Sequence, residues 1–345
     1  MADMNGNESK AVNGKGEAQT KRVSPFADTL FLWLTGACSF VLVLLIGAIC
    51  IMLLLKSAQV FSEFGASFIT SQDWNAATDE FGAASALFGT LVTSFIAMII
   101  AVPLSLVIGI FLVELAHPVI SRIMGTAIEL LAAIPSIVFG MWGLFVFLPI
   151  MKEYIQPILN IYVQGPIDWF CVNVLFFWME EPYMLKIFEG PNTGLNFLSA
   201  GLILAVMVLP FISSVIRDVM TMVPKVVKES AHGVGATSWE VTRSVTFKYG
   251  LSGIIGGTLL GLGRALGETM AVTYVVGGVH SITSKLYEPG NTIASALANE
   301  FNEAAGLQMS ALYGLGLILF VITVIVQLIF HYWLKRVRSK TGVGL

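Results

Sequence analysis

Long apolar runs separated by short polar stretches dominate this chain. A bilayer core about 30 Å thick is crossed by roughly 20 apolar residues in a helix. Six runs reach that length: Thr29–Leu55, Leu87–Val113, Ile128–Ile150, Leu195–Ile216, Gly253–Val279 and Met309–Trp333. The first holds no charge, the third has Glu129 near its start, and the fifth contains Arg264 and Glu268. Lipid offers no partner for backbone polar groups, so each run is predicted to be a helix. The first run is about twice the usual length of a signal-peptide core, and it lacks a clear small-x-small cleavage site. It reads as an uncleaved anchor. The predicted fold is an all-α polytopic membrane protein with six transmembrane helices.

The polar segments give the orientation. The N-tail, the short loop at Arg122, the loop 217–250 and the C-tail together hold 14 Lys and Arg. The opposite loops hold Lys152, Lys186 and Lys285 only. Positive charge stays on the cytoplasmic side, which predicts both termini there. The predicted organisation is a disordered polar tail over 1–26, a first membrane helix over 27–56, an outer loop over 57–83, a membrane domain over 84–335 and a cytoplasmic tail over 336–345. An outer insert is expected at 151–194. Its apolar piece Trp169–Met179 is too short to span. It reads as a segment packed at the headgroup level, where Trp and Tyr are favoured, with an aromatic ligand patch as the alternative. Pro103, Pro135, Pro149 and Pro210 fall in or beside spans. Each removes a backbone donor and predicts a kink.

Residues 218–250 are too many for a simple connection between helices. They predict two short cytoplasmic helices. The first starts at Pro224, a favoured first-turn residue, and stops near Gly233 and Gly235. The second has Thr237 as its N-cap and Glu240 three residues on, a capping box. Such a pair is either a plug for a groove on a soluble partner or a bracket on its own bundle.

Composition narrows the function classes. Only 12% of residues are charged and 56% are hydrophobic, with a mean hydropathy of +0.82. Soluble domains carry about 25% charged residues. A soluble enzyme, a secreted disulfide scaffold and a disordered protein are all excluded, and lipid is the expected surrounding. Net charge is −3 with no basic face, so no nucleic-acid partner is implied. Three scattered cysteines without a C-x-x-C pattern imply neither a metal nor a redox site.

The fifth run carries the candidate chemistry. At roughly 100° per residue, Gly253, Gly257, Gly261, Arg264 and Glu268 share one arc with the remaining glycines, while Ile255, Leu259, Leu262 and Leu266 lie opposite. The leucines are expected to face lipid, and Gly253, Gly257 and Gly261 to let another helix approach closely. Arg264 and Glu268, four apart, can meet on the inner face. A charge at bilayer depth costs about 2.5–3.5 kcal/mol or more, so such residues mark a pathway or a paired lock. Either Arg264 lends positive potential to an anion route with Glu268 balancing it, or the two clamp helices. No G-x-x-x-x-G-K-[ST] loop, G-x-S-x-G or H-E-x-x-H is present, so no catalytic residue, cofactor or metal is expected. Uphill transport would draw on an ion gradient or on a partner ATPase.

Glu229-Ser230-Ala231 followed by Gly235 resembles the cytoplasmic coupling motif of binding-protein-dependent ABC importer permeases, although Val245, Phe247 and Lys248 stand where that motif has Ile, Leu and Pro. The stretches Gly125–Pro149, Gly261–Val272 and Ser295–Phe301 resemble, more specifically, a permease subunit of the high-affinity phosphate importers. The likeness runs from about Asp73 to the sixth span. It implies a type I ABC importer permease (MetI-like) core over 84–335, in the bacterial inner membrane. It further implies a second permease subunit (PstA), a periplasmic phosphate-binding protein and two copies of a cytosolic ATPase (PstB) that binds the ATP, so that this chain is not itself an enzyme. Under this resemblance Arg264 and Glu268 line the substrate pathway, and Glu229, Ala231 and Gly235 make the ATPase contact. The competing expectations are an ABC permease for phosphonate, sulfate or molybdate, an ion-gradient-driven secondary transporter, and an intramembrane enzyme.

Overall fold

A computed structural model describes residues 25–166 and 187–341. The N-tail up to residue 24 and the aromatic piece Trp169–Met179 lie outside the described residues. The chain divides into two units, Met1–Ile51 and Met52–Leu345. Helix α1 (Pro25–Phe64) crosses that boundary. In the first unit its apolar side chains, Phe31, Trp33, Phe40 and Leu45 among them, are exposed on every side. A helix apolar all round is what immersion in lipid requires.

The second unit contains nine further helices among the described residues that matter here. They are α2 (Ala84–Leu115), α3 (Pro118–Ala132), α4 (Ser136–Gln164), α5 (Phe197–Thr221) and α6 (Lys225–Gly233). The rest are α7 (Ser238–Leu266), α8 (Met270–Val276), α9 (Ile293–Glu300) and α10 (Gly306–Thr341). With α1, the helices α2, α4, α5, α7 and α10 are the six long and apolar enough to cross a membrane. A two-stranded antiparallel hairpin, Trp74–Asn75 with Glu80–Phe81, precedes α2 in register Trp74 to Phe81.

Helix α5 is the axis of this unit. Two-thirds of its apolar window is buried, 67%, and it packs against α2, α3, α7 and α8. Small residues make those approaches possible. Gly109 of α2 faces Ile216, and Gly201 of α5 faces Ile96. The Ser105 hydroxyl donates to the Leu209 carbonyl at 3.0 Å, beside the two prolines, Pro103 and Pro210, that lie inside these helices. At the other side of the unit, α10 is tied to the end of α1 by Ser310. Its hydroxyl accepts from Val60 N at 3.1 Å and donates to the Lys56 carbonyl at 2.9 Å.

Several boundaries differ from the sequence expectation, each for a local reason. The third span was expected at Ile128–Ile150. Instead α3 ends at Ala132, and α4 starts at Ser136 with Pro135 as its N-cap. Proline pushes its predecessor out of the helical region, and this splits the expected run in two. Helix α4 then continues to Gln164, so the expected outer insert at 151–194 begins as a continuation of that helix. Wide turns at Gly143–Phe147 and Met151–Ile155 precede Pro149 and Pro157. One extra residue per turn accommodates the missing amide. Helix α1 likewise extends to Phe64, past the expected boundary at 56. The fifth span was expected at Gly253–Val279. It starts at Ser238 and stops at Leu266, so the second short cytoplasmic helix is its own first turns. Ile255 and Leu266, expected to face lipid, are buried, because α7 packs on α2 and α10 as well as on α5.

Candidate functional site

The glycine row of α7 lies directly on α5. A Cβ at Gly253 would come within 2.5 Å of Val219, at Gly257 within 2.7 Å of Val215, and at Gly261 within 2.5 Å of Ile212. By contrast, Gly256 has no such neighbour within 4 Å. The seam therefore selects one side of the glycine arc. Its branched partners on α5 enter the space where Cβ atoms would stand.

Arg264 rides on this seam one turn beyond Gly261. Its guanidinium carbon sits 5.6 Å from the centroid of the Phe211 ring of α5. At that distance the ring attracts the cation through its quadrupole, and guanidinium donors in general fit oxyanions in pairs. Glu268 does not continue the helix of Arg264, because α7 ends at Leu266 with Gly267 as its C-cap. The Glu268 Oε1 accepts from Ala271 N at 3.3 Å and so opens α8. Among the described residues no ion pair joins Arg264 and Glu268; the expected meeting on one helical face is corrected by the break. Weak helix propensity at Gly267 and a carboxylate that stabilises the next helix start act together there. Helix α8 closes at Gly277, in the left-handed region at φ 103°. Both charged residues are half-buried.

At the opposite end of α7 stand α6 and the turn that joins it to α7. Pro224 caps α6 and Thr237 caps α7. The full capping box is present: Glu240 N donates to Thr237 Oγ1 at 3.4 Å, and Thr237 N donates to Glu240 Oε2 at 2.8 Å. Between the helices, Gly235 adopts φ 93°, which strongly favours glycine. Gly235 N donates to the His232 carbonyl at 2.9 Å, and Ala236 N reaches back to the Ala231 carbonyl at 3.2 Å. Ala231 thus anchors the turn while Glu229 is exposed. Helix α6 buries none of its residues. Val226, Val234 and Trp239 are exposed alongside it.

Two ion pairs here were not singled out from the sequence. Lys228 Nζ lies 2.6 Å from Glu114 Oε1, and both side chains are more than four-fifths buried, at 19% and 15% exposure. Arg217 of α5 pairs with Glu129 of α3 and, at 3.2 Å, with Asp218. Gly125 leaves the space that the Arg217 guanidinium occupies. The partners of each main pair are about a hundred positions apart, so no local pattern announces them.

A third polar group was also missed. His280 stacks on Trp74 at 5.2 Å with rings 5° from parallel. Trp74 Nε1 donates to Glu300 Oε2 at 2.8 Å, Gln308 donates to the same oxygen at 3.0 Å, and His280 Nε2 is 3.5 Å from Glu300 Oε1. Burial pushes the Glu300 carboxyl up, but His280, Trp74 and Gln308 together outweigh it and hold it below the usual carboxylate range. Nearby, Lys285 bridges Glu189 at 3.2 Å and Glu288 at 3.6 Å, and the Glu189 contact in particular raises its pKa. Burial pushes the Tyr287 phenol up to about 12. These groups tie the hairpin, the 280–290 loop and α9 into one end of the unit. Among the described residues no group of three metal-ligating side chains occurs.

Residues 101–339 match the family described as binding-protein-dependent transport system inner membrane component. The chain is 47% identical to the phosphate transport system permease protein PstC of Pasteurella multocida, over 95% of this chain and 98% of that protein. It is 45% identical to the protein of the same name from Mesorhizobium japonicum, over 96% and 97% of the two chains. The solved inward-facing MetNI methionine ABC transporter contains a chain that superposes with a TM-score of 0.48 at 14% identity, over 74% of this chain and 94% of that one.

Proposed function

The chain belongs to the family of binding-protein-dependent transport system inner membrane components, and on that premise we propose that it is the permease subunit of an ATP-driven inorganic phosphate importer, forming half of the pathway across the inner membrane. The observation that carries the reading is near-full-length identity of 44–47% to phosphate transport permeases. An oxyanion-competent arginine at a broken membrane helix and a surface-presented pair of cytoplasmic helices both suit it.

The remaining parts follow from the same reading. Both termini lie in the cytoplasm, on the side richer in Lys and Arg. A second permease subunit (PstA) completes the pathway, a periplasmic phosphate-binding protein delivers the anion, and the ATPase (PstB) docks on α6 through Glu229, Ala231 and the turn at Gly235. Arg264 presents its N–H donors to phosphate beside the Phe211 ring. Glu268 holds the break between α7 and α8, and its negative charge nearby keeps phosphate from binding too tightly to leave. The outer loops 57–86, 151–194 and 280–308 hold 12 acidic residues and repel free phosphate. Delivery by a binding protein bypasses that barrier.

The test is ATP-dependent phosphate uptake by the four-component complex in vesicles, with sulfate, molybdate and phosphonate as competitors. Arg264→Gln is expected to abolish uptake while the ATPase still co-purifies. Full uptake by that variant overturns the pathway role, and preferential uptake of a competitor overturns the choice of phosphate.

A further inference from the structure

Four elements at the coupling end form a closed circuit. Helix α2 ends in the wide turn Phe111–Leu115 that carries Glu114. Helix α3 starts three residues later at Pro118, and the Ser121 hydroxyl donates back to the Leu112 carbonyl at 2.7 Å. Near its other end, Glu129 of α3 pairs with Arg217 of α5. Helix α5 passes through Met222 and Val223 directly into α6, and Lys228 of α6 returns to Glu114. Val223 is buried at that corner, with 3% exposure.

We propose that the Lys228–Glu114 and Arg217–Glu129 pairs lock α2, α3, α5 and α6 into one rigid bracket, making these four side chains the positioning residues that pass ATPase motion from the coupling helix to the membrane helices. The inference rests on the importer reading and adds to it the route of the force. Helix α6 buries no residue of its own, so packing alone holds it weakly against α2; a desolvated pair at its centre supplies the missing stiffness. The Lys228–Glu114 pair is mostly buried, and such a pair contributes little net stability but is costly to break from one side, the property expected of a latch rather than of a glue; the Arg217–Glu129 pair is more open, with Glu129 54% exposed. The driven element is then α5. It meets α7 along the side-chain-free row Gly253, Gly257 and Gly261, a smooth surface suited to the small sliding of packed helices. Because Phe211 belongs to α5 and Arg264 to α7, sliding along that seam changes how the guanidinium is held. Motion delivered at α6 thereby reaches the anion-binding group without any contact between α6 and Arg264.

The experiment measures ATP hydrolysis and phosphate uptake together in the reconstituted complex, for wild type, Lys228→Met, Glu114→Gln and the exchange Glu114→Lys with Lys228→Glu. The single variants are expected to keep hydrolysis stimulated by the loaded binding protein near the wild-type rate, yet to import at least about fivefold less phosphate per ATP, the lower end of ordinary coupling free energies. The exchange is expected to restore the ratio. An unchanged ratio in the single variants overturns the bracket, and so does hydrolysis falling in step with uptake, which a structural role alone would give. If the singles fail to assemble, the exchange decides: assembly with wild-type coupling supports the bracket, and assembly without coupling overturns it. A wild-type complex that carries another oxyanion instead refutes the substrate reading, and the ratio is then taken for that oxyanion.

Discussion

The seam between α5 and α7 makes a sharp prediction about two adjacent glycines. A Cβ at Gly257 would lie 2.7 Å from Val215 Cγ1 and 3.2 Å from its Cβ. Relaxed carbon pairs sit at about 3.5–4.0 Å, so one added methyl forces the helices or the valine to move by up to about an ångström. Overpacking of this kind typically costs about 1–3 kcal/mol. At Gly256 nothing lies within 4 Å, and no such cost arises. Both substitutions share the gain in helix propensity, roughly 0.8–1.0 kcal/mol for glycine to alanine on aqueous scales. That term cancels between them. Gly256→Ala should therefore be more stable than Gly257→Ala by about 1–3 kcal/mol. The expected gap in unfolding midpoint is roughly 2–12 °C, on the scaling of large domains. The assay is thermal unfolding of the purified permease in detergent, followed by tryptophan fluorescence. If Gly257→Ala proves as stable as Gly256→Ala, the two helices do not meet along this row, and the sliding seam is lost with it.

Two other perturbations test the two ends of the molecule. Gly235→Ala places a side chain at φ 93°; a left-handed conformation costs a non-glycine residue about 1–2 kcal/mol, so the turn after α6 should deform and less ATPase should be retained on affinity-purified permease. At the other end, the Glu300 carboxyl is held below its ordinary value. Its contribution to stability is full above the unfolded carboxylate pKa and is lost as pH falls through the lower native value. The unfolding midpoint of wild type should thus drop more steeply between about pH 5 and 3 than that of Glu300→Gln; parallel curves would remove the carboxylate from the account.

What the sequence disclosed and what it concealed divides along sequence distance. The six spans were legible because each is a local excess of apolar residues, and α6 and the start of α7 because Pro224, Thr237 and Glu240 act within one turn of themselves. The glycine row of α7 was legible as a face, although not its partner, since a periodic pattern says which residues share a side and not what lies against it. The errors came where one residue outvotes a long pattern. Pro135 divides an apolar run that hydropathy alone reads as continuous, and Gly267 ends a helix whose hydrophobic period carries on to Val279. The second of these matters for function, because a helical wheel extended through Gly267 puts Glu268 beside Arg264, whereas the broken helix assigns Glu268 to the start of α8 and gives Arg264 to Phe211. The concealed part is the long-range polar set. Trp74 and Glu300 are 226 positions apart, Glu114 and Lys228 are 114 apart, and each charge alone looks like an ordinary solvated end of a helix. Only the fold, by burying both members of a pair together, turns such residues into joints. The apolar spans that announce a membrane protein in its sequence are built to be alike, and such joints are the places where they are not.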